Sequence, residues 1–246
     1  MTPAEEREPG SARETADVVT SSDDYAARFS GAAGAWMLAV QERITRRMLA
    51  DLPGASVVDV GGGHGQLAVP LSRSGFAVTV VGSDASCRRR VAEVVDAGLC
   101  RFVAGHVVAL PFPDHSFDVA MSFRLLPHCA RWPELIRELC RVARRRVIVD
   151  YPTTRSVNAI APAVFGLKKK VERNTREWTL FRRAQIVDEF ARQGFRPVAE
   201  VGQFFFPMAL HRALKCRPMS AGLEAAARVA GLTRLFGSPV IASMAR

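Results

Sequence analysis

Residues 57–67 read Val-Val-Asp-Val-Gly-Gly-Gly-His-Gly-Gln-Leu, and few folds accept such a run. A β-branched stretch stops at an acid, passes through clustered glycines and enters a helix-like pattern. That is the order of buried strand, tight turn and helix start in a nucleotide-binding α/β unit. Glycine lets the backbone turn with positive φ and lets a ligand approach the main chain. The unpaired N–H groups of the following helix start then face that ligand. Spacing narrows the choice. Asp59, Gly61, Gly63 and Gly65 form D-x-G-x-G-x-G, whereas a dinucleotide fingerprint is G-x-G-x-x-G. Counted from Gly61 and Gly63, the third dinucleotide glycine falls on Gln66, so the dehydrogenase pattern fails there.

The remaining elements follow from periodicity. Residues 25–52 carry helical spacing through Phe29, Trp36, Leu38, Val40, Ile44 and Met48, with Gly31 and Gly34 expected to divide it and Pro53-Gly54 to end it. A helix over about 65–74 contains Pro70, so its regular ladder should begin late. Strands are expected at 57–60, 76–82, 99–103, 119–123 and 146–152, alternating with helices at 88–97 and 132–143. That alternation predicts a parallel sheet with right-handed crossovers. Further along, helices are expected at 158–173 and 183–192, and strands at 195–206 and 237–244. Residues 207–236 are too long for a hairpin and read as two helices with broad apolar faces, a lid over a substrate cavity, with a dimer contact or membrane-surface helix as alternatives.

Composition excludes several classes. The chain has 246 residues, 48% of them hydrophobic, enough for one large domain with a sizeable core. No apolar run approaches a membrane span, and the start lacks a basic-then-apolar leader. Residues 1–20 are acidic and rich in small side chains, and are expected to form a mobile tail before a domain over 21–246. A cytoplasmic location follows as an expectation. The five cysteines, Cys87, Cys100, Cys129, Cys140 and Cys216, have no zinc-ligand spacing, so reduced thiols and no metal are expected. The net charge of +10 raises nucleic-acid binding, but its arginines are spread along the whole chain, which argues against a binding stripe.

Two motifs together carry a family resemblance. The D-x-G-x-G-x-G loop resembles motif I of the class I S-adenosylmethionine methyltransferases. Leu110-Pro111-Phe112-Pro113 followed by Ser116-Phe117-Asp118 resembles that family's L-P-F-x-x-x-S-F-D signature. The likeness covers about residues 25–151 and is similar to that of ubiquinone and menaquinone biosynthesis enzymes and natural-product methyltransferases. It implies a Rossmann-like sheet of seven strands, mostly parallel, with an antiparallel last strand inserted between the fifth and sixth and helices on both faces, to which this chain's own residues 207–236 add a helical insert before that last strand. It implies S-adenosylmethionine as cofactor. On that reading Asp59, Gly61, Gly63 and Gly65 bind the cofactor, with Asp59 fixing the loop or reaching the amino group. Asp84, 21 positions after Gly63, accepts from ribose hydroxyls, with a helix N-cap as the alternative. The family usually has Gly-Asp where this chain has Gly105-His106, so His106 or the amide of Val107 is left for the adenine.

The fourth strand opens into Arg124-Leu125-Leu126-Pro127-His128, without the N-P-P-Y type motif of base methyltransferases. His128 is the candidate general base and Arg124 a candidate holder of an anionic substrate or a substrate carbonyl. Tyr25, Phe29 and Trp36 are candidates to touch cofactor or substrate. The expected activity is in-line methyl transfer to a small, lipophilic acceptor, O-methylation favoured. A monomer or homodimer is expected, with neither nucleic-acid partner nor stable membrane insertion. An RNA or protein methyltransferase using the basic surface, and a non-catalytic cofactor-binding protein, are the alternatives.

Overall fold

The computed structural model describes residues 14–157 and 178–246. The expected helix at 158–173 lies outside the described residues. Among them, seven strands form one sheet: β1 Ser56–Val60, β2 Ala77–Gly82, β3 Cys100–Ala104, β4 Phe117–Ser122, β5 Ala143–Tyr151, β6 Arg196–Phe204 and β7 Ser238–Ala245. Their order is β3-β2-β1-β4-β5-β7-β6, parallel except for β7, which runs antiparallel between β5 and β6. The helices are α1 Ala16–Thr20, α2 Asp23–Ala27, α3 Gly31–Met48, α4 Ala68–Arg73, α5 Ala92–Asp96, α6 Trp132–Val142, α7 Arg183–Arg192, α8 Met208–Leu214, α9 Arg217–Val229 and α10 Leu232–Phe236.

Both faces of the sheet are covered, as a parallel sheet requires. Successive side chains alternate across the strands. Val58 and Val60, with Ala120, Val147 and Val149, pack in one core with Leu135, Leu139 and Phe190 from α6 and α7. Val57, with Val119, Met121 and Ile148, packs in a second core with Met37, Val40 and Ile44 from α3. The same alternation puts Asp59 on the α3 side, beside Val57.

Several local expectations need correction. The break falls at residues 28–30, just before Gly31 opens α3, and Gly34 lies inside α3 without breaking it. A Cβ there would come 2.1 Å from the Phe29 carbonyl oxygen, so Gly34 serves close approach rather than a break. The late start expected from Pro70 is seen: α4 begins at Ala68, so Pro70 falls in its first turn and removes no ladder bond. The insert holds three helices, not two. Residues 16–20, expected to be part of a mobile tail, are ordered: Ala16–Thr20 is helical and Asp17 is wholly buried. Acidic composition hid this, because the burial depends on one hydrogen-bonded carboxylate rather than on an apolar stripe.

The L-P-F and S-F-D signature has a structural cause. Phe112 and Phe117 pack edge to face with ring centroids 4.9 Å apart. Asp118 Oδ2 accepts from the Ser56 amide (2.9 Å) and hydroxyl (2.7 Å), fixing β4 against the start of β1. Arg141 of α6 donates to the carbonyls of Leu110 (3.0 Å) and Phe112 (2.7 Å) and to Asp114 (2.9 Å). It also pairs with Glu138, which in turn accepts from the Leu110 amide at 2.7 Å. Replacing Arg141 by Ala leaves a mostly buried carboxylate without its counter-charge and the Phe112 carbonyl without this donor. Urea denaturation should show a loss of about 3 kcal/mol, with Glu138→Gln/Arg141→Met recovering part of it.

Candidate functional site

The glycine loop leaves β1 at its carboxyl end, where ligands bind in open α/β sheets. Gly61 (φ 77°) donates to the Val81 carbonyl at 2.8 Å and opens a 3₁₀ turn, Gly62–His64, which Gly65 closes. The two glycines inside the turn are required by proximity. A Cβ on Gly62 would lie 2.2 Å from the Asp59 carboxyl, and one on Gly63 would lie 2.5 Å from Ser21 Oγ and 2.6 Å from the Cys87 carbonyl oxygen.

Under the loop sits a cluster of polar side chains. Asp59 is fully buried, and neither carboxyl oxygen has a protein hydrogen-bond partner. Burial, with Asp150 nearby, pushes this carboxyl up to about 7. Asp150, at the end of β5, is pushed by burial up to about 6, although it accepts from the Arg124 amide at 2.5 Å. His64 Nδ1 accepts from the Gln66 amide at 3.2 Å, and Nε2 has no partner. Burial and the charge of Arg124 lower the His64 ring to about 3, so it is a neutral imidazole.

Arg124, two residues beyond β4, has a left-handed backbone (φ 61°), unusual for a non-glycine residue. Its guanidinium donates to Gln41 Oε1 at 3.1 Å and lies 3.9 Å from the Phe29 ring centroid and 5.9 Å from that of Tyr25. Nη1 is buried and has no hydrogen-bond partner. Tyr25 and Phe29 thus meet Arg124, whereas Trp36 packs against Phe204 and His211, each 5.4 Å away between centroids.

The other predicted residues are more dispersed. Asp84 is exposed, and its Oδ1 accepts from the Ser86 amide at 2.8 Å, capping the 3₁₀ segment Ala85–Val91. Val107 is fully buried; His106 is half-buried and its carbonyl accepts from the Ala109 amide at 3.2 Å. The His128 ring packs edge-on against Trp178, 6.0 Å between centroids.

Three residues escaped the sequence reading. His64 is a loop residue whose only signal was its place among the glycines. Gln41 carried none. Asp17 lies in a stretch that looked like a tail, yet its Oδ2 accepts from the Ser83 amide at 2.6 Å and its Oδ1 from the Ser83 hydroxyl. Cys87 Sγ approaches the same carboxylate at 3.5 Å. Helix α1 therefore lies across the glycine turn, at the end of β2.

The donor and acceptor chemistry fits S-adenosylmethionine. A buried carboxylate without a protein partner suits the cofactor's ammonium group, and the side-chain-less turn lets a ligand reach main-chain amides.

Known proteins give the same picture. Residues 58–149 match the family described as methyltransferase domain. A fatty-acid O-methyltransferase of Mycolicibacterium smegmatis is 37% identical over 101 residues, covering 39% of this chain and 35% of that protein. A 2-methyl-6-phytyl-1,4-hydroquinone methyltransferase of Synechocystis is 34% identical over 94 residues, 37% of this chain and 30% of that protein. An uncharacterised methyltransferase of Mycobacterium avium is 33% identical over 119 residues, 48% of this chain. The matching segment spans about half the length of that relative or less (47%). Among solved structures, magnesium protoporphyrin IX methyltransferase of Synechocystis superposes with a TM-score of 0.64 at 16% identity, over 91% of this chain and 93% of that one.

Asp59 gives a pH prediction with a definite sign. Its native carboxyl titrates near 7 and the unfolded one near 3.8, so the native state retains a proton that the unfolded state releases. Stability should therefore fall as pH rises from about 4 to 7, by on the order of 4 kcal/mol from this group. Asp59→Asn, which cannot ionise, should flatten that slope in urea melts. A cation held against Asp59 favours its charged form. Affinity for S-adenosylmethionine should thus tighten as pH rises through about 7, and calorimetry of Asp59→Asn should show weaker, pH-independent binding.

Proposed function

We propose that the chain is a class I S-adenosylmethionine-dependent methyltransferase that methylates an oxygen atom of a small, lipophilic acceptor, a reading supported by the methyltransferase-domain match over residues 58–149. The cofactor, when bound, supplies a methyl group already activated on a sulfonium sulfur. The protein's task is then alignment and exclusion of water. We assign the cofactor to Asp59, to the backbone of Gly61, Gly63 and Gly65, to Asp84, and to His106 with the Val107 amide. His64, neutral at physiological pH, stands beside that set without adding charge.

The observation that carries the acceptor reading is Arg124. A permanent cation sits at the carboxyl end of β4, against the Phe29 and Tyr25 rings, with a buried Nη1 still able to donate. Such a pairing of apolar walls and one directed donor suits a lipophilic molecule with an anionic or carbonyl oxygen. Relatives named for a fatty acid and for a phytyl hydroquinone support a lipophilic acceptor. We assign His128 the role of proton acceptor for a hydroxyl substrate. A carboxylate substrate is already ionised near neutral pH and needs no base.

The test is turnover with labelled S-adenosylmethionine against a panel of fatty acids and hydroxylated aromatics. Methyl ester or ether products are expected. Arg124→Gln should raise acceptor KM by roughly tenfold or more, with cofactor affinity nearly unchanged. His128→Ala should lower kcat by about a hundredfold for a hydroxyl acceptor and leave a carboxylate acceptor almost unaffected. Cofactor binding without turnover on the panel, or methylation of RNA instead, overturns the reading.

A further inference from the structure

The helical insert presents an unusual surface. On α9 the buried side is Ser220, Glu224 and Ala227. The opposite side, Met219, Gly222, Ala226 and Val229, recurs at helical spacing and is exposed, with Pro218 and Ala225 beside it. Not one of these side chains is polar, although a solvent-facing helix side is normally polar. Met219 is 52% exposed and Val229 91%. The neighbouring helices add Leu210 on α8, and Leu235 (56%) and Phe236 on α10.

The charges of this insert are equally one-sided. Its basic residues are Arg212, Lys215, Arg217, Arg228 and Arg234, and all are exposed. Its one acid, Glu224, is 1% exposed and turned inward. It accepts from the amides of Phe205 and Phe206, each at 2.9 Å, and meets His211 Nε2 at 3.0 Å. The insert therefore shows an aliphatic crest with positive charge around it and no exposed carboxylate.

We propose that α8–α10 form a docking face for an anionic lipid bilayer, on which the protein lies peripherally. Charge decides between the occupants. A two-fold dimer through this face would set each basic set against its own copy, in a chain that already carries a net charge of +10. A nucleic acid would satisfy the arginines but leave the aliphatic crest facing phosphates. An anionic bilayer matches both parts: headgroups for the arginines, and the acyl boundary for Met219, Val229, Leu235 and Phe236. Insertion is shallow, since no helix among the described residues is long and apolar enough to cross a membrane. A lipophilic acceptor would then be drawn from the bilayer itself. That consequence rests on the proposed function; the docking does not.

The experiment is flotation of the full chain with vesicles of phosphatidylcholine alone and of phosphatidylcholine mixed with phosphatidylglycerol. Retention is expected on the anionic vesicles and should weaken with added salt. Met219→Glu/Val229→Glu and, separately, Arg217→Glu/Arg228→Glu should each lower partitioning at least about tenfold. Both variants should keep the parent's thermal unfolding and cofactor affinity, which separates failure of docking from failure of the fold or of the methyltransferase reading. Absence of retention, equal retention on neutral vesicles, or retention indifferent to both variants overturns the proposal. So does self-association, seen by sedimentation and abolished by Met219→Glu/Val229→Glu, or RNA binding, in a protein that vesicles do not retain.

Discussion

A carboxylate with nothing to neutralise it lies at the centre of this molecule. Asp59, next to last in β1, lies beneath a turn so tight that any side chain on Gly62 would collide with it. An isolated buried charge is costly, and the group responds by holding its proton up to near neutrality. Around it, His64 is held neutral by its own burial and the Arg124 charge, Asp150 is pushed up by burial, and Arg124 gives its amide to Asp150 and Nη2 to Gln41. On the proposed function, the counter-charge of this acid is the ammonium group of the cofactor.

The scaffold was readable because its signals are local. Glycine spacing after a β-branched run and a regular strand–helix alternation specified a parallel sheet, and the family resemblance supplied the reversed β7 between β5 and β6. Helix α7 fell where its residues and Gly194 put it. The errors came from long-range contacts. Gly34 looked like a breaker because composition cannot report that Phe29 crosses its helix at contact distance. Residues 16–20 looked like a tail because a single carboxylate-to-backbone contact, 66 residues away, holds them down.

The site was readable in part for the same reason. The loop glycines and Asp59 are specified by their own neighbours, and the structure brings them together with Arg124. Roles that depend on partners far along the chain were not legible. The L-P-F and S-F-D signature, met first as a family mark, is held by Arg141, Glu138 and Ser56, residues that no short motif contains. His64 and Gln41 matter because of where β4 and α3 carry Arg124, which is a fact of packing.

The Asp17 clasp has a practical consequence. Cys87 lies beneath α1, fully buried, its thiol pushed up to about 11 by burial and by the adjacent carboxylate. In this arrangement it is shielded and poorly nucleophilic. Should α1 lift from the loop, shielding and electrostatic suppression vanish together, and alkylation of one native sulfur becomes a clock for the opening of the site.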